Sequence, residues 1–93
     1  MQQLPNAQQS NATSAEEVIA LLLQEMYIEH ANGRYIIPMA ALCKRLNLRM
    51  STLQRYLTGL ESHELVTVHC DDNGRWTTQL TSQGVALYDS LAA

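Results

Sequence analysis

Two short amphipathic stretches, separated by only three residues and followed at once by an Asn-Gly hairpin, limit most strongly how this chain can fold. Between Met39 and Leu46, the residues Met39, Leu42, Cys43 and Leu46 recur on one face of a helix, and Lys44 and Arg45 point away from its centre. Asn47, Leu48 and Arg49 then leave room only for a tight helix-to-helix junction. Either Met50 or Ser51 opens the next helix, whose inward stripe is Leu53, Tyr56, Leu57 and Leu60. Its outward face is Ser51, Gln54, Arg55, Thr58 and Ser62. Leu65 to Cys70 reads as a strand and Trp76 to Leu80 as the returning one, with a hairpin tip centred on Asn73-Gly74.

The flanking segments supply what this unit needs to be covered. Ser14 to Glu17 matches a capping box, so a helix starts there. Its core-facing stripe is Val18, Ile19, Leu22, Leu23 and Met26, and Asn32-Gly33 stops it. Leu21 and Ile28 form a second apolar edge on the opposite side. Tyr35 to Ile37 is a short β-prone run ended by Pro38, which suits the first position of the following helix. Thr81 can cap a last helix in which Gly84, Leu87, Tyr88 and Leu91 recur at spacings of three and four, so that it packs back on the first. The order α, β, α, α, β, β, α predicts a mainly α (α+β) winged helix-turn-helix domain: a three-helix core, a two- to three-stranded wing and a C-terminal helix. It occupies residues 14–93. Residues 1–13 are rich in Gln, Asn, Ala and Ser without a charged side chain, and read as a flexible polar tail.

A formal net charge of −3 is unusual for a protein that would meet phosphates, but the charges are segregated. Five of the six basic residues (Arg34, Lys44, Arg45, Arg49, Arg55) fall between positions 34 and 55, and no acid occurs between Glu29 and Glu61. A locally cationic element inside an acidic chain is the footprint of a DNA-facing surface, and equally of a solvated basic face.

Other classes of function find little support. Cys43 and Cys70 stand at no metal-like spacing and read as free thiols, Cys43 as a small buried hydrophobe. A redox-sensing role would need a reactive Cys70. His69, Cys70, Asp71 and Asp72 are ligand types, yet adjacent strand side chains point to opposite faces, so no metal or cofactor is expected. There is no Ser-His-Asp set, phosphate-cradling glycine loop or HExxH helix, and catalysis is not expected. Without a long apolar run or a signal-peptide pattern, the chain is expected to be cytoplasmic, with no membrane contact.

Over about residues 38 to 91 the chain resembles the MarR-type winged helix-turn-helix regulators. The stretches that carry this are ALCKRLNLRMSTLQRYLTGLESHELV and LTSQGVALYDSL, with a wing that runs from acidic residues through an arginine into Leu-Thr-x-x-Gly. The resemblance implies sequence-specific binding of double-stranded DNA by a transcriptional regulator, usually a homodimer on a near-palindromic site. It places Ser51, Thr52, Gln54, Arg55 and Thr58 at recognition-helix positions and Arg75 near the wing tip. Family members are usually longer, with extra terminal helices that build the dimer and an effector pocket, and no effector is assigned here.

The chemistry of these side chains agrees. Gln54 can pair bidentately with adenine, Arg55 with guanine or a phosphate, and Ser51 and Thr58 carry short hydroxyl donors. Thr52 lies at the edge of the outward face. Lys44, Arg45 and Arg49 flank the helix and suit phosphates, as does Arg75, although Asp71 and Asp72 beside it could pair with it instead. A homodimer is expected because one short helix reads few base pairs, with Leu21, Ile28, Tyr88 and Leu91 as its candidate surface. The alternative reading is a winged-helix protein-interaction module without DNA readout.

Overall fold

A computed structural model of the chain describes residues 14–92, so the tail expected at residues 1–13 lies outside the described residues. Helix α1 (Ala15–Ala31) begins at a complete capping box, in which the Ser14 hydroxyl accepts from the Glu17 amide and the Glu17 carboxylate accepts from the Ser14 amide, both at 3.1 Å. It ends in a Schellman turn: Gly33 takes a φ of +83°, its amide donates to His30, and the Arg34 amide reaches back to Glu29. Val18, Leu22, Leu23 and Met26 are buried along its inner face, as the spacing predicts.

Strand β1 is Ile37–Pro38, shorter than the run from Tyr35 suggests, because Tyr35 and Ile36 project into solvent. Pro38 does not open the next helix from within. It is the second residue of the edge strand and the N-cap of α2 (Met39–Leu46), with extended ψ of 131°. An edge position tolerates its missing N–H. Helix α2 closes on Asn47 in the left-handed conformation (φ 57°, ψ 48°), and α3 (Met50–Ser62) starts immediately afterwards with Arg49 as N-cap. Asn tolerates this backbone better than most residues, which is what makes the three-residue junction possible.

The end of α3 is a second Schellman turn, with the Leu65 amide on the Leu60 carbonyl and the Glu64 amide on Glu61. Here the left-handed position holds Glu64 (φ 63°), a residue that nothing in the sequence pattern marks. Strands β2 (Val66–Cys70) and β3 (Trp76–Leu80) form the wing, and the sheet order β1-β3-β2 is antiparallel throughout. The hairpin tip differs from an Asn-Gly-centred turn. The Gly74 amide donates to the Asp71 carbonyl, so Asp72 and Asn73 are the central residues, and Gly74 follows with φ +80°. This is a turn closed by a glycine bulge. It is selected by the Asp71 carboxylate, which accepts from the Asn73 and Arg75 amides at 2.9 Å each.

Helix α4 (Ser82–Ala92) docks against α1 through Tyr88, stacked on Tyr27 at 4.5 Å, and through the Tyr27 hydroxyl, which donates to Asp89 at 2.6 Å. That bond holds the Tyr27 phenol above its ordinary pKa, chiefly because the hydrogen bond to the Asp89 carboxylate favours the protonated form. Gly84 is buried at the root of α4, where a Cβ would overlap the Leu65 carbonyl oxygen. Thr81 fastens this corner: its hydroxyl donates to the Glu64 carbonyl at 2.6 Å and accepts from the Gly84 amide at 3.0 Å. The core that joins the layers is aliphatic, with Leu22, Met26, Met39, Leu42, Leu53, Leu57 and Val66 fully buried. Among the described residues no helix is long and apolar enough to cross a membrane.

Candidate nucleic-acid interface

Burial of Leu53, Leu57 and Leu60 fixes how α3 is rotated, and so fixes what it shows to solvent. Ser51, Arg55 and Thr58 are exposed on its outer side, as expected, and Thr52 is half-buried at the edge. Gln54 is half-buried as well. It faces the wing and shares a depression of about 330 Å³ with Thr58, Glu61 and Trp76. Arg55 lies on the other flank and lines a shallow pocket with Ile19, Tyr56 and His63, toward α1. The two neighbours in sequence therefore serve opposite edges of one face.

The basic residues divide into two groups. Arg45 donates to Glu29 at 2.7 Å and lies 3.5 Å from Glu25, and Arg34 donates to the other oxygen of Glu29 at 3.1 Å. Two positive charges of the basic window thus pair with α1, and Arg45, expected as a phosphate contact, is one of them, with 42% of its side chain still exposed. The carboxyl of Glu29 is buried, with a pKa below the ordinary glutamate value because the hydrogen bonds from Arg34 and then Arg45 outweigh desolvation. Among the described residues Lys44, Arg49, Arg55 and Arg75 form no ion pair, and all four are exposed. Arg75 does not pair with Asp71, whose carboxylate holds the wing turn together instead.

The wing is braced against α3 by a contact absent from the sequence reading. The Val68 amide, on the outer edge of β2, donates to the Glu61 carboxylate at 3.1 Å. This satisfies an edge-strand donor and ties the wing to the helix beside it. Glu29, Glu61, Met50 and Trp76 are the residues of this region that pattern reading passes over. Only Glu29 carries a readable signal, since it continues the buried stripe Leu22, Met26 at the next helical step.

The proposed dimer surface is mixed. Leu21, Ile28 and Leu91 are exposed at 49%, 42% and 68%, whereas Tyr88 is half-buried and spends a ring face on Tyr27 of its own chain. Both cysteines are free thiols, Cys70 exposed and Cys43 partly covered, with burial raising the Cys43 thiol pKa.

A helix-turn-helix with a hairpin wing and a C-terminal helix is shared with several solved structures. A candidate DNA-binding protein from Ralstonia eutropha JMP134 is 36% identical, with 80% of this chain and 89% of that one aligned at a TM-score of 0.66. A MarR-family transcriptional regulator from Silicibacter pomeroyi is 28% identical over 80% of this chain and 47% of its own, with a TM-score of 0.65. The chain thus has the winged helix-turn-helix fold of the MarR-type regulators. The same fold is seen in the complex of Staphylococcus aureus MepR with DNA, at a TM-score of 0.69 and 20% identity over 91% of this chain and 65% of that one. The chain spans less than two thirds of the length of these last two structures. No family model and no curated protein matches the chain.

Proposed function

We propose that this protein is a MarR-type, sequence-specific double-stranded DNA-binding transcriptional regulator that lays α3 in the major groove. The observation that carries this reading is the outer surface of α3. Its hydroxyl and guanidinium side chains (Ser51, Arg55, Thr58) are exposed, and Lys44, Arg49 and Arg75, which have no ion-pair partner among the described residues, come from the elements around it. An overall charge of −3 does not oppose it, because acids Glu25 and Glu29 neutralise only Arg34 and Arg45.

In this reading Ser51, Thr52, Gln54, Arg55 and Thr58 contact bases, with Arg55 reading guanine or gripping a phosphate and Gln54 reaching bases from the wing side. Lys44, Arg49 and Arg75 contact phosphates and set the register. Arg45 contributes through the position of α2, held by Glu29. Two copies bind half-sites about one DNA turn apart, joined through Leu21, Ile28 and Leu91. A protein of this fold has been crystallised on DNA, which supports DNA binding as the use of the fold.

Selection of duplexes from a random pool, followed by gel shift, tests the reading. Recovery of a common, two-fold related motif supports it. Failure to retard any duplex at low salt would refute it and favour a protein-interaction module.

A further inference from the structure

Between the N-terminus of α3 and the wing lies a trough of about 490 Å³. Pro38, Ala40, Met50 and Trp76 give it apolar walls, and Arg75 and Asp71 line it toward the wing tip. Met50 and Trp76 are 37% and 42% exposed, large side chains left open to water on a small domain. Arg75 has no acidic partner among the described residues, and Arg49 precedes Met50 at the N-cap of α3, likewise unpaired. The one carboxylate in the trough, Asp71, is occupied by two backbone amides of the turn.

The position of the trough decides what fits it. This inference rests on the DNA-binding reading. With α3 in the major groove and the wing reaching past its edge, the ridge between the two grooves of the duplex must pass between them. That ridge is one sugar-phosphate strand: an apolar sugar edge flanked by anions. We propose that the trough seats this strand, with Trp76 and Met50 packed on deoxyribose and Arg75 and Arg49 on the phosphates either side. Trp76 is then a DNA-binding residue whose contribution is independent of base sequence, since every nucleotide offers the same sugar. Trp76 also lines the adjoining depression beside Gln54, so it stands between a surface that faces bases and one that faces backbone.

Trp76 is the only tryptophan, so its emission reports on the trough directly. The probe is mixed-sequence duplex DNA at low salt, with the duplex recovered from a random pool as the second arm. On binding either, Trp76 emission changes and its quenching by acrylamide falls about twofold or more. Trp76→Ala weakens both duplexes by the same factor, on the order of tenfold. Trp76→Phe, which keeps an apolar platform, stays within about threefold of wild type, and far-UV circular dichroism confirms that both variants are folded. If the duplexes bind while Trp76 emission, acrylamide access and the affinity of Trp76→Ala are all unchanged, the strand seat is wrong and the DNA-binding reading stands. A loss confined to the selected duplex also overturns the seat, since it marks a base contact. If neither duplex binds the wild-type protein, both readings fall.

Discussion

Replacing Gly84 with alanine adds one methyl group where the last helix leaves the wing, and the structure says what that methyl meets. It overlaps the Leu65 carbonyl oxygen, lies 2.9 Å from Leu80 Cδ2 and 3.1 Å from the Leu65 carbonyl carbon. The obstacle is backbone whose carbonyl already accepts the Thr81 amide at 3.0 Å, so it cannot swing aside without breaking that bond. In an open helix the same change would stabilise by about 1 kcal/mol through helix propensity. Overpacking of this kind costs about 1–3 kcal/mol, and with backbone in the way the upper end applies, leaving a net loss of about 1–2 kcal/mol. For a domain of this size that lowers Tm by roughly 4–16 °C. Thermal unfolding followed by circular dichroism measures it. A variant as stable as wild type, or more so, would show that α4 does not approach Leu65 as described and would refute the reasoning.

Three further outcomes follow from other corners of the fold. Glu64→Gly relieves a left-handed backbone at the end of α3 and should raise stability by about 0.5–1 kcal/mol in urea unfolding; a loss would contradict the turn geometry. Glu29 has a lowered pKa in the folded protein, so its carboxylate contributes stability that is present above the ordinary glutamate value of about 4.3 and lost as pH falls through the lower, folded value. Glu29→Gln should therefore flatten the acid side of the stability profile, and an unaltered profile would mean the Arg34 and Arg45 bonds are not held in solution. Asp71→Ala removes the acceptor for two wing-tip amides; hydrogen exchange at Asn73 and Arg75 should accelerate while the amides of α1 are unchanged, and equal protection in both proteins would count against the turn described.

Much of this architecture is legible in the amino-acid order because local signals and core pattern agree. Ser14 to Glu17 announces the first helix, the spacing of Leu53, Leu57 and Leu60 orients the third, and the gap from Asn47 to Arg49 admits only a tight turn. The misplacements have local causes. The hairpin shifted by one residue because the Asp71 side chain competes for the turn amides, a choice that the Asn-Gly pair alone does not reveal. Pro38 went to the strand because β3 offers an edge where an absent N–H costs nothing. Leu91 follows the helical spacing of its neighbours but stays 68% exposed.

The interface was less readable, for a different reason. Which cations are free depends on partners far away in sequence: Arg45 lies sixteen residues from the Glu29 that holds it. Trp76 and Met50 have no periodicity in common and meet only because the wing folds back beside α3.

If the exposed cations Lys44, Arg49 and Arg75 around α3 face a phosphate backbone, the salt dependence of affinity for duplex DNA shows it most directly. For wild type, log Kd plotted against log salt concentration should be steep, and Arg49→Ala should reduce the slope by about one, whereas Arg34→Ala, already neutralised by Glu29, should leave it unchanged. Equal slopes for wild type and Arg49→Ala, or an affinity indifferent to salt, would contradict the account.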